Sequence, residues 1–170
     1  MMLLKVVFWG FLGFSQTDIP IQFENEITTC LTKRVLWIEL ERAMFTSEET
    51  WLWPNDYSLV NGEGLFTDSL IRVTYDTGLF SPTYSYNLED IIDLQTMTYT
   101  AVEGDHPFKG GATLTLSEVT SGTLFKWTGL YLTRPVDFIQ RQFFKRFSKN
   151  FFEKLNSNIR NEEIESGCRQ

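Results

Sequence analysis

The sequence predicts an α+β domain in which a curved antiparallel sheet wraps around one long C-terminal helix, and three observations carry this. Residues 57–132 alternate apolar and polar side chains with a period of two and are broken by turn residues at regular intervals, which is the pattern of antiparallel strands with one wet face. After Arg134 and Pro135 the period lengthens to that of a helix reaching about Ile164, with proline suited to a first helical turn. Within that helix the series Ile139, Phe143, Phe147, Phe151, Leu155, Ile159 drifts by about 40° at each four-residue step. Its apolar surface therefore winds around the rod and calls for a sheet that curves with it.

Taken in order, the chain opens on MMLLKVVFWGFLGF, which carries one charge (Lys5), an apolar run over residues 6–14 and the small-x-small triplet Gly13-Phe14-Ser15. Residues 1–15 read either as a secretory signal, being too short for a membrane span, or as an added N-terminal strand or hydrophobic lid. A single domain is expected over residues 16–165, with a tail at 166–170. Ile19, Ile21, Phe23 and Ile27 alternate with Gln22, Glu24, Glu26 and Thr28, predicting a half-buried strand. Thr32 caps a short helix through Phe45. Thr46 with Glu49 forms a Ser/Thr-x-x-Glu capping box for a second short helix through Trp51 and Trp53, which Pro54 stops.

Six strands follow. Five of them show a clear inward set: Ile71, Val73 and Tyr75; Tyr84, Tyr86 and Leu88; Met97, Tyr99 and Ala101; Ala112, Leu114 and Leu116; and Phe125 with Trp127. Arg72 and Lys126 fall on the opposite parity and are expected at the surface. Turns are expected at residues 61–64, at Thr77-Gly78 with Ser81-Pro82, at residues 104–107 and at Ser121-Gly122. The alternation fails around residues 90–93, which predicts a bulge or a turn.

Composition narrows the function. The net charge of −7 argues against a generic grip on nucleic acid. The bases are concentrated, however: residues 134–160 hold seven Lys and Arg against two acids. This basic helix is expected to lie over the protein's own acidic sheet, with docking on acidic lipid as the weaker alternative. Two Cys and one His are too few for a structural zinc site, and no cofactor is expected. No Gly-x-Ser-x-Gly, Walker or His-Glu-x-x-His motif occurs, and Glu103 with Asp105 is an acidic pair in a turn, so no catalytic residue is assigned. Five Trp, six Tyr and fifteen Phe supply more ring surface than a core of this size usually needs.

The element order resembles the helix-grip fold of the START/Bet v 1/polyketide cyclase superfamily over about residues 19–164. Local echoes are Val35-Leu36-Trp37, Trp51-Leu52-Trp53, Gly122-Thr123 and Pro135. The resemblance implies a seven-stranded sheet and a cavity between sheet and helix that takes a small hydrophobic ligand such as a lipid, polyketide or sterol-like molecule. Candidate lining residues are Tyr75, Tyr84, Tyr86, Tyr99, Phe125, Trp127 and Tyr131 from the strands, with Ile139, Phe143 and Phe147 from the helix. Rings bearing hydroxyl or indole donors both pack against and orient an amphipathic guest. Two loops are candidates for a gate over the cavity mouth, one offering Leu79 and Phe80, the other His106 and Phe108. A carrier is the leading reading. A cyclase- or dehydratase-like enzyme using the same cavity is the alternative, and a co-chaperone-like interaction module the third.

The resemblance also places the end of the long helix beside the segment after the first strand, which leaves a Cys30–Cys168 bridge open, without requiring it, if the N-terminal segment is a cleaved signal and the mature chain enters an oxidising compartment. The alternative is a cytoplasmic protein with both thiols free.

Overall fold

The computed structural model describes residues 17–45, 50–53, 56–61, 68–74, 83–102, 104 and 108–168. The strands are β1 (Ile19–Thr29), β2 (Asp56–Asn61), β3 (Leu70–Thr74), β4 (Thr83–Ile92), β5 (Thr96–Ala101), β6 (Lys109–Val119) and β7 (Gly122–Thr133). Helix α1 (Lys33–Phe45) follows β1, and helix α2 (Phe138–Glu165) closes the domain. All seven strands form one antiparallel sheet in the order β1-β7-β6-β5-β4-β3-β2. The expected seven-stranded sheet and long C-terminal helix are both present.

Alternation decides the two faces. Ile21 and Ile27 of β1, Ile71 and Val73 of β3, Tyr86 and Leu88 of β4, Met97 of β5, Leu114 and Leu116 of β6, and Phe125, Trp127 and Tyr131 of β7 are buried on the inner face. Lys126 lies on the outer face, where it is ion-paired with Glu24 of the neighbouring strand. The pairing irregularity expected near residues 90–93 is found as two features. The β4–β5 register shifts between Leu88 and Asp90, and the hairpin turns through residues 93–95 with Leu94 at a φ of 57°. Such a bulge adds local twist, which helps the sheet curve. At Gly122 the φ is 131°, and a Cβ would run into the Thr29 carbonyl. Only glycine fits at that crossing of β7 and the end of β1.

Helix α1 starts where expected: the Thr32 hydroxyl accepts the Val35 N–H at 3.4 Å, and Leu36, Trp37 and Leu40 are buried against the sheet. The second short helix is a correction. Its first residues lie outside those described, but Thr50–Trp53 are not helical. The Thr50 hydroxyl accepts the Leu52 N–H at 3.2 Å and donates to the Glu39 carboxylate at 3.0 Å, so side-chain bonds replace a helical turn. Leu52 and Trp53 are then free to enter the core, and Asn158 of α2 donates to the Leu52 carbonyl at 3.4 Å.

Helix α2 begins three residues later than Pro135, which sits in the preceding turn. Arg141 fastens its first turn to β7: one guanidinium nitrogen reaches the Thr133 hydroxyl at 3.2 Å and the Arg134 carbonyl at 2.7 Å, and another the Pro135 carbonyl at 3.2 Å. The buried stripe of α2 is Ser148, Phe151, Leu155, Ile159 and Glu163, at the three- and four-residue steps of a single face. At the far end Cys30 and Cys168 form a disulfide with their Cα atoms 5.8 Å apart, and the Cys30 N–H donates to the Glu163 carboxylate at 3.3 Å.

Candidate ligand-binding site

The inner face of β1 and β7 opposite α2 is lined with rings. Phe23 packs edge-on to Trp127 with centroids 4.7 Å apart, and it can lie there because its cross-strand neighbour is Gly129, where a Cβ would overlap the Phe23 ring. Trp127 continues to Phe151 at 5.2 Å, and Phe151 to Trp53 at 5.0 Å. Tyr131 and Phe108 each meet Phe144 at 5.1 Å. All five contacts are edge-to-face, a favourable geometry for aromatic quadrupoles. The Trp127 indole N–H donates to the Tyr99 hydroxyl at 2.9 Å, which satisfies a polar atom that burial would otherwise penalise.

Between β1 and α2 this surface opens into a groove of about 330 Å³. Ile21, Phe23, Phe144 and Phe152 supply apolar walls, Asn25 faces it from β1, and Lys145, Lys149 and Glu153 line it from α2. Ser148 contributes little hydrogen-bonding capacity, since its hydroxyl donates to the Phe144 carbonyl of its own helix at 2.8 Å. Lys149 and Glu153 approach within 3.9 Å, leaving Lys145 as the cation without a counter-charge among the groove's own lining residues. The arrangement suits a guest with an apolar body and an acidic end. A second depression of about 370 Å³ is lined by Thr98, Thr100, Thr113 and Thr128 on strands β5 to β7. Several of its hydroxyls are already engaged, Thr98 with Thr113 at 3.1 Å and Thr100 with Glu89 at 2.6 Å.

The structure brings together part of the expected lining. Tyr86, Phe125, Trp127 and Tyr131 are buried on the inner face, and Tyr84 and Tyr99 are half-buried, Tyr86 meeting Tyr99 edge-on at 5.4 Å. Phe147 is half-buried and packs on Phe151 at 5.9 Å. Ile139 departs from expectation, being 78% exposed, as does Phe143 at 37%. The reason is the drift of the four-residue series: with Leu155 facing the sheet, four steps back rotate Ile139 by about 160° to the opposite side. Phe108, expected in a gate loop, is instead buried under Phe144 and Tyr131 at the start of β6. Tyr75, Leu79, Phe80 and His106 lie outside the described residues. The groove adds Phe23, Phe144 and Phe152. Alternation had already put Phe23 on the inner side of β1, but its place opposite Gly129 depends on a strand pairing that local sequence does not reveal.

No protein-family model matches the chain, and no curated protein is recognisably similar to it in sequence. Solved structures do match. The crystal structure of Ara h 8.0201 superposes with a TM-score of 0.57 over 84% of this chain and 99% of that one, at 16% identity. The fold is the Bet v 1-like helix-grip fold. The Mesorhizobium loti protein MLL2253 gives a TM-score of 0.59 at 19% identity, covering 83% of this chain and 98% of its own. An uncharacterised protein from Rhizobium leguminosarum gives 0.58 at 13% identity, covering 85% and 97%. At these identities the likeness is one of helix-grip architecture, and function has to be argued from the site.

Proposed function

We propose that this helix-grip protein binds a small amphipathic molecule between its sheet and its C-terminal helix, with the apolar body against Phe23, Phe144 and Phe152 and an acidic end beside Lys145. The groove between β1 and α2 carries this reading: its volume of about 330 Å³ falls at the small end of the roughly 300–1,000 Å³ usual for small-molecule sites. Its apolar walls with few polar groups are the composition such sites favour. The lipid, polyketide and sterol-like classes all offer such amphipathic molecules.

Titration with anilinonaphthalene sulfonate, an anionic aromatic probe, tests the proposal. The expected result is saturable one-to-one binding that quenches tryptophan emission, because Trp127 abuts Phe23. Asn25→Trp, which fills the groove from β1, is expected to weaken the probe by about tenfold or more. Lys145→Glu should weaken it while sparing an uncharged naphthalene. Absence of saturable binding, or an Asn25→Trp protein that binds as well as wild type, would sink the reading.

A further inference from the structure

The start of α2 is apolar where a helix end usually is not. Val136 is 68% and Phe138 58% exposed, and with the outward-facing Ile139 and Phe143 they make a tip of four large side chains on the solvent side of one helical end. Ile19, also exposed, lies next to it through its pairing with Thr133. Such side chains clustered at the surface mark an interaction site more than scattered ones do. The acid within the tip is already neutralised: Asp137 is held by Arg134 through two bonds of 3.0 and 3.1 Å, and that guanidinium keeps its carboxyl below its ordinary pKa.

Behind the tip stand bases. Arg141, with its guanidinium carbon 5.9 Å from the centre of the Phe138 ring, is followed by Lys145 and Arg146. Seven residues of helix separate Phe138 and Ile139 from Lys145 and Arg146, about 10 Å along the axis. An apolar end with basic side chains set back from it lets the rings sink into an interface while the cations stay at headgroup level. The protein as a whole is acidic, with a net charge of −7, so attraction to an anionic surface has to come from this local concentration of cations.

We infer that the α2 tip is a docking site for an anionic phospholipid bilayer, Val136, Phe138 and Ile139 entering the interface and Lys145 and Arg146 meeting the headgroups. It shares Lys145 with the proposed groove and otherwise rests on residues outside it.

Flotation of the full chain with vesicles of phosphatidylcholine, with and without phosphatidylserine, tests it. The protein is expected to float with the phosphatidylserine vesicles, to release as salt rises, and to bind pure phosphatidylcholine far more weakly. The double variant Phe138→Ser/Ile139→Ser, at exposed positions outside the groove, should lower partitioning by at least tenfold while leaving melting and probe binding unchanged. Arg146→Glu should lower it several-fold. Three flotation results would overturn the assignment: no flotation with either vesicle, equal binding to both, or flotation that the double variant leaves intact, which would assign attachment to another part of the chain such as residues 6–14. A dimer in light scattering that the double variant breaks would instead make the tip a contact between copies and also overturn it.

Discussion

Glu162 shows what a single side chain contributes here. Burial is the main cause that pushes its carboxyl above the ordinary value, and repulsion from Glu165 and from Glu39 across in α1 adds to it. A carboxylate raised on folding makes the folded state less stable once ionised. The penalty is therefore absent below the ordinary carboxylate range and sets in as pH climbs through that range toward the raised value. Glu162→Gln is expected to raise the urea midpoint at neutral pH, by less than about 1 kcal/mol because the site is partly solvated. The gain should vanish below about pH 4. A gain that persists in acid would assign it to packing and not to charge. Residues of this kind show the limit of sequence reading. The parity that sent Trp127 inward and Lys126 outward is local and legible, whereas the meeting of Glu39 with Glu162, or of Phe23 with Gly129, exists only after the elements dock.

At the scale of elements, the strands were the most legible because period-two alternation is enforced by the pleat itself. Helix α2 was legible in extent but not in face. The apolar series from Ile139 to Ile159 suggested a rod wrapped on all sides, yet full burial is confined to the stripe from Ser148 to Glu163, with Phe144 half-buried against Phe108 and Tyr131 and Ile139 left to solvent. The consequence is measurable by urea denaturation. Phe151→Ala is expected to lose about 3–5 kcal/mol, as large buried rings do. Ile139→Ala should stay within about 0.5 kcal/mol, with Phe147→Ala between them. Equal losses at Ile139 and Phe151 would mean that the helix is rotated from the face described. The element after α1 failed for a different reason: a capping-box pattern at Thr46 and Glu49 is satisfied by sequence alone, but Thr50 spends its hydroxyl on Glu39 and Leu52.

For the molecule as a whole, the strongest single constraint joins positions 138 residues apart. Closing so long a loop restricts the unfolded chain, and reduction of Cys30–Cys168 is expected to cost roughly 2–5 kcal/mol, read as a lower urea midpoint in the presence of a thiol reductant. An unchanged midpoint, with two thiols alkylated in the folded protein, would show that the bridge does not form. The overall architecture was readable from element order because few arrangements let one curved sheet bury one long helix. The groove was not readable, since it is a gap between β1 and α2, which come from opposite ends of the chain.

That bridge is one of two fixtures. β1 and α2 run side by side from Ile19 and Phe138 toward Cys30 and Cys168, where sulfur joins them. At the other end residues 134–137 tie α2 directly to β7, whose Thr133 pairs with Ile19, and Arg141 adds its hydrogen bonds to that joint. Ile21, Phe23 and Asn25 face Phe144, Lys145 and Lys149 between the two fixtures. The helix spans the groove like a bar held at both ends, so the apolar tip sits on an anchored end of the bar.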